Sequence, residues 1–178
     1  MRCFVAIDFP INAKTRIFHE SKKLQGKDLF DGNLTKKENL HLTIKFLGSL
    51  TNKEVEKIKE KLRKINFNKF FCKIGKVGFF YKGSKIRIIW VDLLSNKLNE
   101  LQKKIGKVIL DRGNEKFSSH ITIFRLKSVR NKRRLVEKVG EIDFKNLNFK
   151  VKEFVLMKSE LTNQGIRYRI LDRFKSEN

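Results

Sequence analysis

Several residue types are scarce in this chain of 178 residues, and each scarcity narrows what it can be. There is one proline, Pro10, and no stretch rich in Gly, Ser or Pro, so no segment reads as an interdomain linker. There are two cysteines, Cys3 and Cys72, in apolar strand-like surroundings without CxxC or metal-ligand spacing. That argues against a disulfide framework and against a thiolate metal site. Two buried free thiols in a reducing cytosol are expected. No apolar run reaches membrane-spanning length and no secretory leader is recognisable. Met1–Pro10 is apolar, but Arg2 and Asp8 interrupt it and it reads as a strand. A cytoplasmic protein is therefore expected, without a membrane or an obligate protein partner, and a monomer.

Acidic residues are also few: 19 Asp+Glu stand against 42 Lys+Arg, a formal charge of +23. Such a charge attracts polyanions, nucleic acid or an anionic membrane. The excess is carried by 30 Lys and only 12 Arg, in a chain with 14 Asn, 17 Ile, 16 Phe and two Ala. A general compositional bias toward lysine accounts for much of it, so charge alone does not choose a partner. At 40% hydrophobic the chain has enough apolar surface for a real core.

Residue periodicity and punctuation give an order of elements. Strands are expected over 2–9, 41–47, 70–80, 86–93, 120–126, 147–157 and 166–174. Helices are expected over 12–25, from Thr51 to about Ile65, over 96–111 and over 131–139. Thr51 with Glu54 forms a capping-box pattern. The stretch 28–39 reads as a polar loop. Turns are expected at 81–84 and at 162–165.

This order repeats. After the opening strand, each half runs helix, strand, helix, strand, strand. The central strands are HLTIKFL (His41–Leu47) and HITIFRL (His120–Leu126), 79 residues apart. The expected fold is α+β: a duplicated, pseudo-two-fold, bilobal unit over 1–178, a single domain with two antiparallel sheets facing a central cleft and helices on the outer faces.

Only three histidines and six threonines are present, yet two histidines are followed by Thr at the second place, at matching points of the repeat. In a strand, residues i and i+2 share a face. His41 and Thr43 therefore point one way, with Lys45 next along, while Leu42, Ile44 and Phe46 point into the core. His120 and Thr122 share a face, with Ile121 and Ile123 behind them.

Two imidazoles titrating near neutral pH suit proton transfer at both ends of an in-line displacement. One takes a proton from the nucleophile while the other gives one to the leaving oxygen. Thr43 and Thr122 can donate to non-bridging phosphate oxygens. The motifs hold no Asp, Glu or Cys, and two histidines alone make a poor metal site, so no metal and no cofactor are expected. The plainer readings are structural strand histidines and threonines chosen as β-formers.

These residues carry a resemblance. HLTIKFLG and HITIFRLK are similar to the paired H-x-T motifs of the two-histidine phosphoesterase superfamily. The whole chain resembles its RNA 2′,3′-cyclic phosphodiesterases, the 2′-5′ RNA ligase family. Arg2-Cys3-Phe4-Val5-Ala6-Ile7-Asp8, Glu38–Gly48, Ile89-Trp90-Val91 and Ser159-Glu160-Leu161 with Gly165 and Tyr168 match that family's pattern.

The resemblance implies opening of an RNA terminal 2′,3′-cyclic phosphate to a 2′-phosphate, with reversible 2′-5′ ligation as the family's other activity. The substrate would be RNA with such an end, tRNA fragments included. It implies His41 as proton donor and His120 as proton acceptor. Arg125 matches the family's basic residue after the second motif and is a candidate phosphate clamp.

Strict alternation points Arg125 away from His120, so a bulge or the strand end must re-aim it if it serves the site. Phe46, its counterpart in the first half, is a candidate base support that parity assigns to the core. Ser119 stands where the family commonly has proline. Trp90 is expected in the core, His19 on the surface, Tyr81 and Tyr168 in packing, and the basic run 130–134 on a solvated helix face. The competing readings are a non-enzymatic basic RNA-binding protein and a superfamily member acting on small cyclic nucleotides or RNA 3′ ends.

Overall fold

A computed structural model describes residues 1–25, 28–109, 117–144, 146–163 and 165–177. Nine strands and four helices follow one another along these residues. They are β1 (Arg2–Asp8), α1 (Ile11–Lys22), β2 (Phe30–Leu34), β3 (His41–Ser49), α2 (Asn52–Arg63), β4 (Phe70–Lys82), β5 (Lys85–Leu94), α3 (Asn96–Val108), β6 (His120–Val129), α4 (Lys132–Gly140), β7 (Asn148–Val151), β8 (Glu153–Thr162) and β9 (Gly165–Lys175). A short 3-10 turn at Lys37–Asn39 precedes β3.

The fold is α+β, as expected, and all strand pairs are antiparallel. The two expected sheets are one open sheet in hydrogen-bonding terms, ordered β7-β4-β5-β6-β3-β1-β8-β9, with β2 on the free edge of β6. A five-stranded half (β7, β4, β5, β6 and β2) and a four-stranded half (β3, β1, β8, β9) meet only at the pair Leu42–Ile121, between β3 and β6.

The halves also exchange strands. The strand pairs opposite His41 and His120 make the structural units β1-α1-β3-α2-β4 and β5-α3-β6-α4-β8, so β5 opens the second unit instead of closing the first. β4 of the first unit then pairs with β5 beside β6, and β8 of the second pairs with β1 beside β3.

One face of the sheet carries the helices. Ile17 of α1, Val55, Ile58 and Leu62 of α2, Leu98, Leu101 and Ile105 of α3, and Leu135 and Val139 of α4 share one core with Leu42, Ile44, Ile121 and Ile123. A helix on this amphipathic pattern gains most of its stability from that burial rather than from propensity. The capping box forms as read: Thr51 Oγ1 accepts from the Glu54 amide at 3.3 Å, and Glu54 Oε2 accepts from the Thr51 amide at 2.7 Å. Cys3 and Cys72 are buried free thiols, and burial pushes the Cys72 thiol up to about 12.

Two local expectations fail. The polar stretch 28–39 holds β2, whose apolar content is too low to signal a strand; it pairs with β6 from Phe30–Val129 to Leu34–Phe124. Gly32 permits the approach, since a Cβ there would lie 2.6 Å from the Arg125 carbonyl oxygen. The single strand over 147–157 is two strands, β7 and β8, which pair with different partners on either side of Lys152. The ends expected at Gly26 for the first helix and at Asp111 for the third, and the turn residue Gln164, lie outside the described residues.

Candidate active site

The second face of the sheet carries the histidines. Leu42 and Ile121 are fully buried on the helix side, directly opposite one another. In the register of that pair His41 comes alongside Thr122, and Thr43 alongside His120. The four motif side chains therefore emerge together on the other face, around the point where the halves join.

The two imidazoles are held the same way. His41 Nδ1 donates to the carbonyl of Asn39 at 2.7 Å, and His120 Nδ1 donates to the carbonyl of Ser118 at 2.9 Å. Each ring is fixed by the residue two places before it, which leaves Nε2 for chemistry. On His41, Nε2 accepts from the Thr43 hydroxyl at 3.0 Å. Aromatic rings wall both histidines. Phe4 and Tyr168 lie 5.0 and 4.9 Å from His41, and Phe80 lies 4.8 Å from His120.

Two bulges decide which residues join them. On β6 the register runs from Trp90–Thr122 to Ile89–Phe124, skipping Ile123. Ile123 and Phe124 are both buried, and Arg125 comes out on the histidine face, exposed. On β3 the register runs from Ala6–Thr43 to Val5–Lys45, skipping Ile44. Phe46 consequently pairs with Phe4 and stands 51% exposed beside it, the rings 6.2 Å apart, instead of in the core. Lys45, expected on the face of His41 and Thr43, pairs with the core residue Val5.

Trp90 also departs from its core assignment. It is half-buried on the histidine face, where it pairs with Thr122 and its ring lies 6.4 Å from His120. Gly78 makes room for it, because a Cβ there would meet the indole at 2.4 Å. Ser119, in the place of the family's proline, ties its hydroxyl to the Leu93 carbonyl, and its own carbonyl accepts from the Leu93 amide at 3.3 Å. The loop before His120 is thus anchored to β5 by hydrogen bonds in place of a rigid ring. His19 is exposed and remote, Tyr81 sits under Lys132 with the ammonium 5.5 Å from its ring, and the run 130–134 lies at the start of α4.

Electrostatics bias both rings toward the neutral form. Burial pushes the His41 imidazole down to about 4, helped by the Lys14 and Arg125 cations and opposed by the Asn39 bond and Asp8. His120 is also lowered, by burial first; Arg125 adds to this, while the Ser118 bond and Asp92 resist it. One guanidinium thus acts on both histidines. No group of three or more His, Cys, Asp or Glu that could hold a metal occurs among the described residues.

Comparison with known proteins decides the family. The model of the family described as "LigT like Phosphoesterase" matches the chain twice, over residues 12–90 and 91–168. The chain belongs to the LigT-like phosphoesterases.

The two matches fall on the two halves of the repeat, one histidine motif in each. Among relatives of this phosphoesterase, the RNA 2′,3′-cyclic phosphodiesterase of Methanocaldococcus jannaschii is 36% identical over 180 residues, covering 96% of this chain and 98% of the relative. The protein of the same name from Thermotoga maritima is 30% identical, covering 96% and 93%. Solved LigT-like folds superpose closely. TT0787 of Thermus thermophilus gives a TM-score of 0.84 at 19% identity, covering all of both chains. E. coli LigT complexed with 3′-AMP gives 0.81 at 24% identity, covering 99% and 98%. As a LigT-like phosphoesterase the protein is an enzyme, and no helix among its described residues is long and apolar enough to cross a membrane.

Proposed function

We propose that this phosphoesterase opens the 2′,3′-cyclic phosphate at an RNA end and leaves a 2′-phosphate. The observation that carries the reading is the placement of His41, Thr43, His120 and Thr122 around the Leu42–Ile121 pair, with both Nδ1 atoms tied to backbone carbonyls. The curated relatives bear the name of that activity.

In this scheme a water attacks phosphorus in line with the 3′ oxygen. As the new P–O bond forms, the water's proton passes to His120 Nε2. As the P–O3′ bond breaks, His41 Nε2 gives its proton to O3′. The Thr43 and Thr122 hydroxyls and the Arg125 guanidinium donate to the non-bridging oxygens, where charge builds. A 5′-hydroxyl in place of water gives a 2′-5′ link by the same proton transfers. The continuous sheet and shared core support reading 1–178 as one unit.

The test is a product assay on end-labelled RNA carrying a 2′,3′-cyclic phosphate, with EDTA present. The expected product is the 2′-phosphate, and His41→Ala and His120→Ala should each cost ~10²–10⁴-fold, the usual contribution of a general acid or base. Turnover that persists in both variants, or a 3′-phosphate product, would overturn the reading.

A further inference from the structure

The two histidine motifs are alike, but their neighbours on the adjoining strands are not. Asp8 ends β1 directly opposite His41, and Asp92 lies on β5 directly opposite His120. Both are single acidic residues within apolar strand sequence, CFVAID and IIWVDLL, at equivalent places in the two halves: Asp8 ends β1, and Asp92 lies two residues before the end of β5. Here the symmetry stops.

Asp8 is met by Lys14 of α1, whose ammonium lies 2.6 Å from Oδ1. Lys14 is 7% exposed, a rare degree of burial for a lysine. Its ammonium also donates to the carbonyl of Glu38 at 3.1 Å. The next residue is Asn39, whose carbonyl holds His41 Nδ1. Lys14 therefore touches both the carboxylate facing His41 and the segment that orients the ring. Asp92 accepts from the Leu93 amide at 2.8 Å and has no cationic partner among the described residues.

We propose that Lys14 is a positioning residue that, through Asp8 and Glu38, makes two symmetry-related histidines chemically unequal. This rests on the phosphodiesterase reading for its use in catalysis. Burial lowers both rings, and the Lys14 cation behind the Asp8 carboxylate adds to that on the His41 side only, so the His41 imidazolium suits protonation of a poor alkoxide leaving group. His120 faces Asp92, which has no lysine partner among the described residues, and suits activation of water. The ionisable groups around His41 are Asp8 of β1, Lys14 of α1, Arg125 of β6 and Tyr168 of β9; around His120 they are Asp92 of β5 and Arg125. Arg125 acts on both rings, so it does not produce the difference.

The test uses variants of opposite charge effect at one buried pair. Lys14→Met removes the cation and leaves Asp8, so His41 should titrate higher. Asp8→Asn leaves Lys14 uncompensated, so His41 should titrate lower, or not at all while the protein stays folded. Asp92→Asn should lower His120 and leave His41 in place.

Proton NMR of the three imidazoles reads this directly, with exposed His19 as the internal reference. The acid limb of the kcat/KM profile should follow His41 in the same two directions. Both substitutions disturb the same buried contact, so a merely structural role would shift His41 the same way in each. That result, or no shift in either, overturns the proposal. If Lys14→Met does not fold, the double variant Lys14→Met with Asp8→Asn removes both charges at similar volume, and His41 should then move upward by less. The NMR arm needs no substrate. A wild-type protein inactive on cyclic phosphate would overturn the proposed function without touching this inequality.

Discussion

Phe46 and Arg125 stand at the same place in two copies of one motif, five residues after His41 and after His120, and both reach the histidine face through a skipped residue in the strand register. One half thus presents an aromatic ring and the other a guanidinium. Arg125→Lys should lower kcat/KM on a cyclic phosphate by roughly 10²-fold, because a lysine cannot grip two oxygens of one phosphate. Arg125→Met should in addition raise the titration of both histidines, since the guanidinium holds both down. Phe46→Ala, at an exposed position, should change stability by no more than about 0.5 kcal/mol. It should raise KM for a nucleotide substrate roughly tenfold if the ring stacks on the base. Steady-state kinetics and urea unfolding on the three variants check these outcomes.

The His41 imidazole also makes stability depend on pH. Its folded value, about 4, lies below the ordinary 6.5, so between those values the unfolded chain binds more protons than the folded one. Stability should be full above the ordinary value and fall as pH drops toward 4. The loss attributable to this ring is ~2–3 kcal/mol, the ring being only half-buried. Urea unfolding at pH 7 and pH 4.5 measures it, and His41→Gln should flatten the difference.

Gly78 offers a test of how the His120 side is built. A Cβ at this position would press into the Trp90 indole at 2.4 Å. Gly78→Val should cost ~1–3 kcal/mol as an overpacking change. Trp90 is the only tryptophan, so its fluorescence reports the displacement directly. Activity should fall with it, because Trp90 pairs with Thr122. An unchanged emission spectrum with unchanged stability would show that the indole can move aside.

The charge of +23 should act on the RNA chain and not on the reacting end. Some lysines are already paired locally on solvated helix faces, as Lys59 is with Glu56 and Lys138 with Glu141. KM for an oligonucleotide with a cyclic phosphate end should rise steeply between about 50 and 200 mM salt, while KM for a cyclic mononucleotide should change little. Equal salt sensitivity for both would assign the lysines to background composition.

Much of the fold and of the site was legible because the signals were local. The capping box of α2 and each of the two H-x-T strands lie within a few residues of sequence, and the repeated element order is a succession of such local signals. What was not legible depends on pairing across the chain. β2 carries too few apolar residues to announce itself and exists because β6 has an open edge. Strand parity misplaced Phe46 and Lys45 because the skip at Ile44 is visible only in register with β1. The same parity required a bulge or the strand end to turn Arg125, and the register shows the bulge. Lys14 gave no signal, since a lysine in an amphipathic helix reads as solvated. The paired aspartates did leave one: a lone acid in an apolar strand, twice, at matching places in the repeat.

The exchange of β4 and β8 between the halves has a consequence for how the molecule comes apart. Each half of the sheet is completed by a strand that the other repeat supplies. A fragment holding one repeat alone would expose the edges of two strands and could bury them only against a second chain. Neither histidine can therefore outlast the other during unfolding: the molecule should lose both proton-transfer groups in one cooperative step.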